Sequence, residues 1–129
     1  MNEPFDYIVQ SDKSFDAVVS SVEALTAEKG FRVLAVHDVQ ATLQAKELQI
    51  EPMKIIELCN AKHAYKVVTA EPRASYMLPC RISVYRGMGK TTIAMMLPTA
   101  IAAFFPHAAI GDVSIEVENV MKEIVDQSA

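Results

Sequence analysis

The stretch that decides the fold runs from Cys80 to Leu97 and reads CRISVYRGMGKTTIAMML. Residues 80–86 and 91–97 each predict a strand, because both are rich in apolar and β-branched side chains. Gly87-Met88-Gly89 between them predicts a tight turn, since such turns need residues that tolerate a left-handed backbone. The stretch therefore predicts a hairpin, and with it an antiparallel sheet.

Three more strands and two long helices are predicted around this hairpin. The strands cover residues 5–10, 31–39 and 53–59. One long amphipathic helix lies between Ser14, which favours an N-cap, and Gly30, which favours a C-terminal stop. The second begins near Asp112, and residues 40–50 have weak helical character.

A shorter helix is predicted over residues 61–70, between the third and fourth strands. Asn60 favours its N-cap, and Glu71-Pro72 ends it, because proline disfavours helical backbone in the residue before it. The order is then β-α-β(4)-α, with this short helix inserted. It predicts a single α+β domain over residues 1–129, in which two long helices cover one face of a mostly antiparallel sheet. The open face is expected to carry Ser83, Tyr85, Thr92 and Met96.

The composition is that of a globular protein, and it argues against two kinds of partner. The chain has 129 residues, 51% hydrophobic and 22% charged, and a net charge of -4. An acidic chain without a stripe of Lys or Arg is not expected to bind nucleic acid. The longest apolar stretch, Ile93 to Phe105, falls short of the ~20 residues of a spanning helix, so no membrane partner is expected. Two cysteines do not make a disulfide scaffold, which favours a cytoplasmic protein with reduced thiols.

Both cysteines lie at the two ends of one connection. Cys59 ends the third strand just before the short helix, and Cys80 opens the fourth strand. If these strands are antiparallel neighbours, the two thiols lie at the same end of the sheet. The positive end of the helix dipole would favour the thiolate of Cys59, which suggests a reactive thiol or a redox pair. The alternative is two small buried side chains, since free cysteine is often buried.

His63 follows Cys59 by four residues and therefore lies near it at the start of the short helix. Cys59, His63 and Cys80 could bind a soft metal, although zinc sites normally show tighter paired spacings. The alternative is that His63 lies on a solvated helix face. The sequence shows no complete catalytic set, so no catalytic residue, resident metal or cofactor is assigned.

The residues around this corner resemble those of a known family. Leu58-Cys59-Asn60, followed by Leu78-Pro79-Cys80 and a Val-Tyr strand, is similar to the domain of unknown function 302 family of bacterial and archaeal proteins. The pattern from Ser14-Phe15-Asp16 to Gly30-Phe31-Arg32 is similar to the same family. The resemblance implies a TATA-box-binding-protein-like fold and implies no activity. Ala61 and Arg81 stand where the family usually has proline and asparagine.

We therefore expect a non-enzymatic module that binds a small molecule or a protein partner. Its candidate ligand-binding residues are Cys59, Asn60, His63, Cys80 and Tyr85. A thiol-based redox protein or enzyme using Cys59 and Cys80 is one alternative, and the soft-metal site is another. We also expect a homodimer, because the large apolar side chains of Phe104-Phe105-Pro106-His107 lie in a connection, where they either pack on the core or form a contact surface.

Overall fold

Five strands and six helical segments make up the computed structural model, which describes residues 4–129. The strands are β1 (Asp6–Ser11), β2 (Arg32–Asp38), β3 (Met53–Cys59), β4 (Cys80–Gly87) and β5 (Lys90–Met96). The α-helices are α1 (Phe15–Glu28), α2 (Val39–Gln44), α3 (Ala61–Ala70), α4 (Pro98–Ala102) and α5 (Gly111–Ser128). A 3₁₀ helix spans Pro72–Met77, between α3 and β4.

The five strands form one antiparallel sheet in the order β1-β5-β4-β3-β2. The first two strands of the chain, β1 and β2, are thus the two edges of the sheet. The predicted hairpin, β4–β5, lies in its interior. The long helices α1 and α5 pack against each other and against the strands. The α+β class, the antiparallel sheet and the two long helices on one face are confirmed.

The β4–β5 hairpin turns through only two residues, Met88 and Gly89. Their φ angles are 53° and 76°, so both occupy the left-handed region. Turns of this kind match the twist of paired strands, which explains why the hairpin closes here with Gly87 opposite Lys90. The predicted turn is confirmed. It consists of Met88 and Gly89 alone, because Gly87 is the last residue of β4.

The predicted start and end of α1 are also confirmed. The Ser14 hydroxyl accepts a hydrogen bond from the amide of Ala17 at 3.2 Å, as an N-cap should. At the other end Gly30 has a φ of 83°, a conformation that residues with a Cβ rarely adopt. The chain can therefore leave α1 and enter β2 through a turn of only three residues, 29–31.

The alternation of side chains along the strands separates a core face from an open face. In β4, Ile82 and Val84 are fully buried beneath α1. Ser83 and Tyr85 point the other way, and the register places Thr92 opposite Tyr85. The core also includes Val18, Val22, Ile56, Leu58, Ile93, Val117, Met121 and Ile124.

Three local features differ from the sequence prediction. The connection after β5 contains α4, which begins at Pro98 because proline suits the first helical position. The 3₁₀ helix after α3 was not predicted. It begins at Pro72, again with proline at the first helical position. Phe104 and Phe105 have different environments, because Phe105 is buried in the core whereas Phe104 is 62% exposed.

None of the helices formed by residues 4–129 has both the length and the apolar character needed to cross a membrane.

Candidate functional site

Four of the five candidate residues lie where β3 passes into α3 and the 3₁₀ helix passes into β4. Leu58 of β3 pairs with Cys80 of β4, so the two strand ends lie side by side. The 3₁₀ helix packs against α3, and its last residue is followed by Leu78 and Pro79, which are joined by a cis peptide bond. These elements enclose a cavity at one end of the sheet.

This cavity, here called the thiol cavity, has a volume of about 350 Å³. Its walls are mainly apolar, and Phe31, Leu58 and Val68 contribute to them. Its polar lining residues are Cys59, Asn60, His63, Ser75 and Cys80. Sites that bind small molecules have this size, and they are lined mostly by apolar side chains with a few polar groups.

Asn60 holds the thiol cavity together through its side chain. Its Oδ1 accepts a hydrogen bond from the amide of His63 at 3.2 Å, which caps α3. Its Nδ2 donates to the carbonyl of Gly30 at 3.2 Å, which ties the start of α3 to the turn between α1 and β2. The predicted N-cap is confirmed, and the same side chain brings Phe31 next to the cavity.

His63 lies on the inner side of α3, with 16% of its side chain exposed. The prediction of a solvated histidine is therefore wrong, because α3 packs against α5 on this side. Nε2 is 3.2 Å from a carboxylate oxygen of Glu116, and the ring is tilted against Phe31 with centroids 5.8 Å apart. Nδ1 is buried and has no hydrogen-bond partner within residues 4–129.

The two cysteines line the same cavity but are one residue out of register. Cys80 pairs with Leu58, whereas Cys59 pairs with Arg32 of β2. The pleat therefore directs the two side chains to opposite faces, which does not favour a disulfide, and both are free thiols. Both can line the cavity because it lies at the very end of the sheet.

The surroundings of Cys80 change the ionisation of its thiol. Burial, with a smaller contribution from the nearby Cys59, raises the pKa of Cys80 to about 11. At neutral pH this thiol therefore stays protonated and is a poor nucleophile.

Cys59, His63 and Cys80 do not form a metal centre. Among residues 4–129, no three His, Cys, Asp or Glu side chains are grouped closely enough to hold a metal ion. The soft-metal alternative therefore lacks the ligand geometry that it requires.

Tyr85, the fifth candidate, lies beside a different cavity. This second cavity, here called the open-face cavity, has a volume of about 310 Å³ and lies between the open face of the sheet and α4. Pro79 and Cys80 line both cavities, so this short segment separates them. The structure thus brings Tyr85 near Cys80 but not into the group formed by Cys59, Asn60 and His63.

Ser75 and Phe31 are two of the cavity residues that sequence reasoning missed. Ser75 belongs to the 3₁₀ helix, whose position depends on packing against α3 and could not be anticipated. Phe31 follows Gly30, and it reaches the cavity because Asn60 binds that glycine from 30 residues away, a contact that no local sequence pattern shows.

The fold is a small α+β domain in which the two long helices leave one face of the sheet uncovered, with the thiol cavity at one end of the sheet. The chain matches the family "Domain of unknown function DUF302" over residues 7–128, and it belongs to that family. It is similar to an uncharacterized conserved protein of the same family from Bacillus stearothermophilus, whose crystal structure is known. The two share 28% identity, the alignment covers 97% of this chain and 98% of that chain, and the TM-score is 0.90. No curated protein matches the chain.

The family expected from Leu58-Cys59-Asn60 and Leu78-Pro79-Cys80 is thus confirmed. The likeness to the TATA-box-binding protein stays a prediction.

Proposed function

We propose that this protein is a non-enzymatic module that binds a small molecule in the thiol cavity. The observation that carries the proposal is a mainly apolar cavity of about 350 Å³ beside Cys59, Asn60, His63 and Cys80. Ligand sites in proteins span roughly 300–1,000 Å³, so the cavity suits a ligand at the small end of that range.

The lining favours a largely apolar ligand with one hydrogen-bonding group. Phe31, Leu58 and Val68 would cover the apolar part. Asn60 already uses its side chain to cap α3 and to bind Gly30, so it mainly shapes the cavity. The groups that could orient a polar end of the ligand include the Cys59 thiol, the Ser75 hydroxyl and Nδ1 of His63, which no residue of the range 4–129 hydrogen-bonds.

Binding is better supported than thiol chemistry. A redox pair needs a second cysteine that attacks as a thiolate, and the pKa of Cys80, raised to about 11 by burial, opposes that role. The one-residue offset between Cys59 and Cys80 opposes a disulfide as well. The thiol alternative predicts fast alkylation of Cys59 by iodoacetamide at neutral pH. The binding proposal predicts no such enhancement over a small free thiol.

The test is native mass spectrometry of protein purified without a His-tag. Two alanines of α3 provide a matched pair, because Ala64 lines the thiol cavity and Ala61 is exposed and is not part of that lining. Ala64→Leu fills part of the cavity, whereas Ala61→Leu adds the same side chain outside it. We expect a retained ligand mass in the wild type and in Ala61→Leu, and its loss in Ala64→Leu.

Two results would contradict the proposal. One is a wild-type protein that leaves the cell with no bound molecule and shows no thermal stabilisation by any member of a library of small apolar compounds. The other is a ligand that Ala64→Leu retains as well as Ala61→Leu, since that ligand would lie outside the thiol cavity.

We also propose that the protein forms a homodimer through the surface around Phe104. Phe104 and Phe5 are 62% and 61% exposed and line one shallow apolar hollow beside the edge strand β1. Light scattering should then show a dimer for the wild type and a monomer for Phe104→Ser. Leu48→Ser, at an exposed leucine elsewhere, should leave the dimer unchanged. A monomeric wild type at the concentration of the assay would contradict this proposal.

The proposed location is the cytoplasm. It is supported by the two cysteines, which are both free thiols, as is usual in a reducing compartment.

A further inference from the structure

The open-face cavity has opposite charges on its two sides and an apolar floor. Asp6 of β1 lines one side and Arg81 of β4 lines the other. The floor between them includes Ala94 and Met96 of β5, and Ile101 of α4 adds to the apolar lining. This cavity is separate from the thiol cavity, and the proposed function makes no use of it.

The sheet register fixes how far apart the two charges lie. Asp6 pairs with Met96, and Ile82 pairs with Met95, so Arg81 is level with Met96 on the other side of β5. Neighbouring strands lie about 4.8 Å apart, which puts the backbones of Asp6 and Arg81 roughly 10 Å from each other. Both side chains leave the same face of the sheet, so they can converge from opposite sides on two charged groups of one small molecule.

Both charged groups have capacity for a ligand. The Nε of Arg81 is 3.6 Å from Glu57, whose other carboxylate oxygen is 2.9 Å from His37. The guanidinium has five N–H donors in all, so its terminal nitrogens can still bind a carboxylate in two-point fashion. None of the ion pairs formed among residues 4–129 includes Asp6.

We propose that the open-face cavity binds a small dipolar molecule with an apolar body, of the class of free apolar amino acids and short apolar peptides. The ammonium group of the ligand lies at Asp6, its carboxylate lies at Arg81, and its apolar body covers Met96. The hydroxyls of Ser83 and Tyr85, which also line the cavity, are placed to accept or donate a further hydrogen bond.

A ligand with a single charge fits this cavity less well. A plain carboxylate would leave the Asp6 carboxylate in the same cavity without a counter-charge, and a plain amine would leave Arg81 in the same position. A dipolar ligand matches both groups, and the apolar floor selects against strongly hydrated ligands.

The experiment is a calorimetric titration of the wild type with L-leucine, L-methionine, L-phenylalanine and leucylleucine. Two analogues of leucine each remove one charge: 4-methylpentanoate lacks the ammonium group, and 3-methylbutylamine lacks the carboxylate. We expect at least one dipolar ligand to bind. For leucine, each analogue should bind at least about tenfold more weakly, which is the loss of one charge-assisted contact.

Charge-neutralising variants assign each end of the ligand. Arg81→Gln should weaken binding of the dipolar ligand by about tenfold or more and leave the weak binding of 3-methylbutylamine unchanged. Asp6→Asn should weaken binding of the dipolar ligand by a similar factor and leave the weak binding of 4-methylpentanoate unchanged. Arg32→Gln removes an exposed arginine outside the cavity and should change nothing.

The inference is overturned if no member of the panel binds at concentrations up to about 10 mM, a range that reaches even very weak complexes. It is also overturned if the dipolar ligand binds no better than its singly charged analogues, a result that needs no variant. Ala64→Leu in the thiol cavity should not affect these titrations, so failure here and failure of the proposed function are distinguishable.

Discussion

The two cavities lie on either side of Pro79 and Cys80, yet they differ in what supports their walls. The thiol cavity borders the hydrophobic core, because Leu58 and Phe31 belong both to its lining and to the core. The open-face cavity lies on the side of the sheet that α1 and α5 leave uncovered. In the first cavity folding and binding depend on the same side chains, whereas in the second most of the lining could change without loss of the fold.

The largest effect that separates the two cavities is on stability. Leu58 is fully buried, so Leu58→Ala should lower the free energy of unfolding by about 2–5 kcal/mol, through lost burial and a new void. Ser83→Ala, on the open face, should change it by less than about 0.5 kcal/mol. Urea unfolding at equilibrium measures both. Equal losses in the two variants would contradict the distinction between a core-supported and a surface cavity.

A smaller effect concerns the response of the thiol cavity to alkaline pH. The pKa of Cys80 rises from its usual value near 9.0 to about 11 on folding, mainly because the thiol is buried. Below pH 9 both states keep the proton, and between pH 9 and 11 only the unfolded state releases it. Stability should therefore fall across this window, by on the order of 2–3 kcal/mol.

The measurement is urea unfolding at several pH values from 8 to about 11, for the wild type and for Cys80→Ala. The difference between them isolates the thiol from other groups that ionise at alkaline pH, since both proteins contain those groups. The free energy of unfolding of the wild type should fall relative to that of Cys80→Ala as the pH rises. Cys59→Ala is the control and should keep most of the pH dependence of the wild type, because burial, and not Cys59, is the main cause of the raised pKa of Cys80. A pH-independent difference between wild type and Cys80→Ala would contradict the burial of this thiol.

The smallest of the three effects concerns Asn60, which shapes the thiol cavity from its rim. Asn60→Ala removes the cap of α3 and the hydrogen bond to Gly30, and should cost about 1–2 kcal/mol of stability. Asn119→Ala, at an exposed position inside α5, should be neutral or slightly stabilising, because alanine is the better helix former. Thermal unfolding of both variants tests this. If Asn60→Ala were as neutral as Asn119→Ala, the cavity rim would not depend on this side chain.

Much of the fold could be predicted because its signals are local. The hairpin turn, the caps at Ser14 and Asn60 and the glycine at the end of α1 each depend on neighbouring residues in the sequence. The 3₁₀ helix and α4 could not be predicted, since both are short and depend on packing against α3 and α5.

The candidate site could be predicted in part for a similar reason. An antiparallel pairing of β3 and β4 is enough to bring Cys59 and Cys80 to one end of the sheet. It does not fix the register, and an offset of one residue reverses the face on which a side chain lies. The sequence therefore located the corner but could not show that the two thiols differ in direction, or that Tyr85 belongs to a second cavity.

The claim that a ligand occupies the thiol cavity is tested most directly by a crystal structure of the tag-free protein as it is isolated from cells. The account predicts electron density for a bound molecule between α3 and the adjoining ends of β3 and β4, in contact with Cys59 and next to the ring of His63. A cavity closed by its own side chains, or one that holds only ordered water while the bound molecule lies elsewhere, would contradict it.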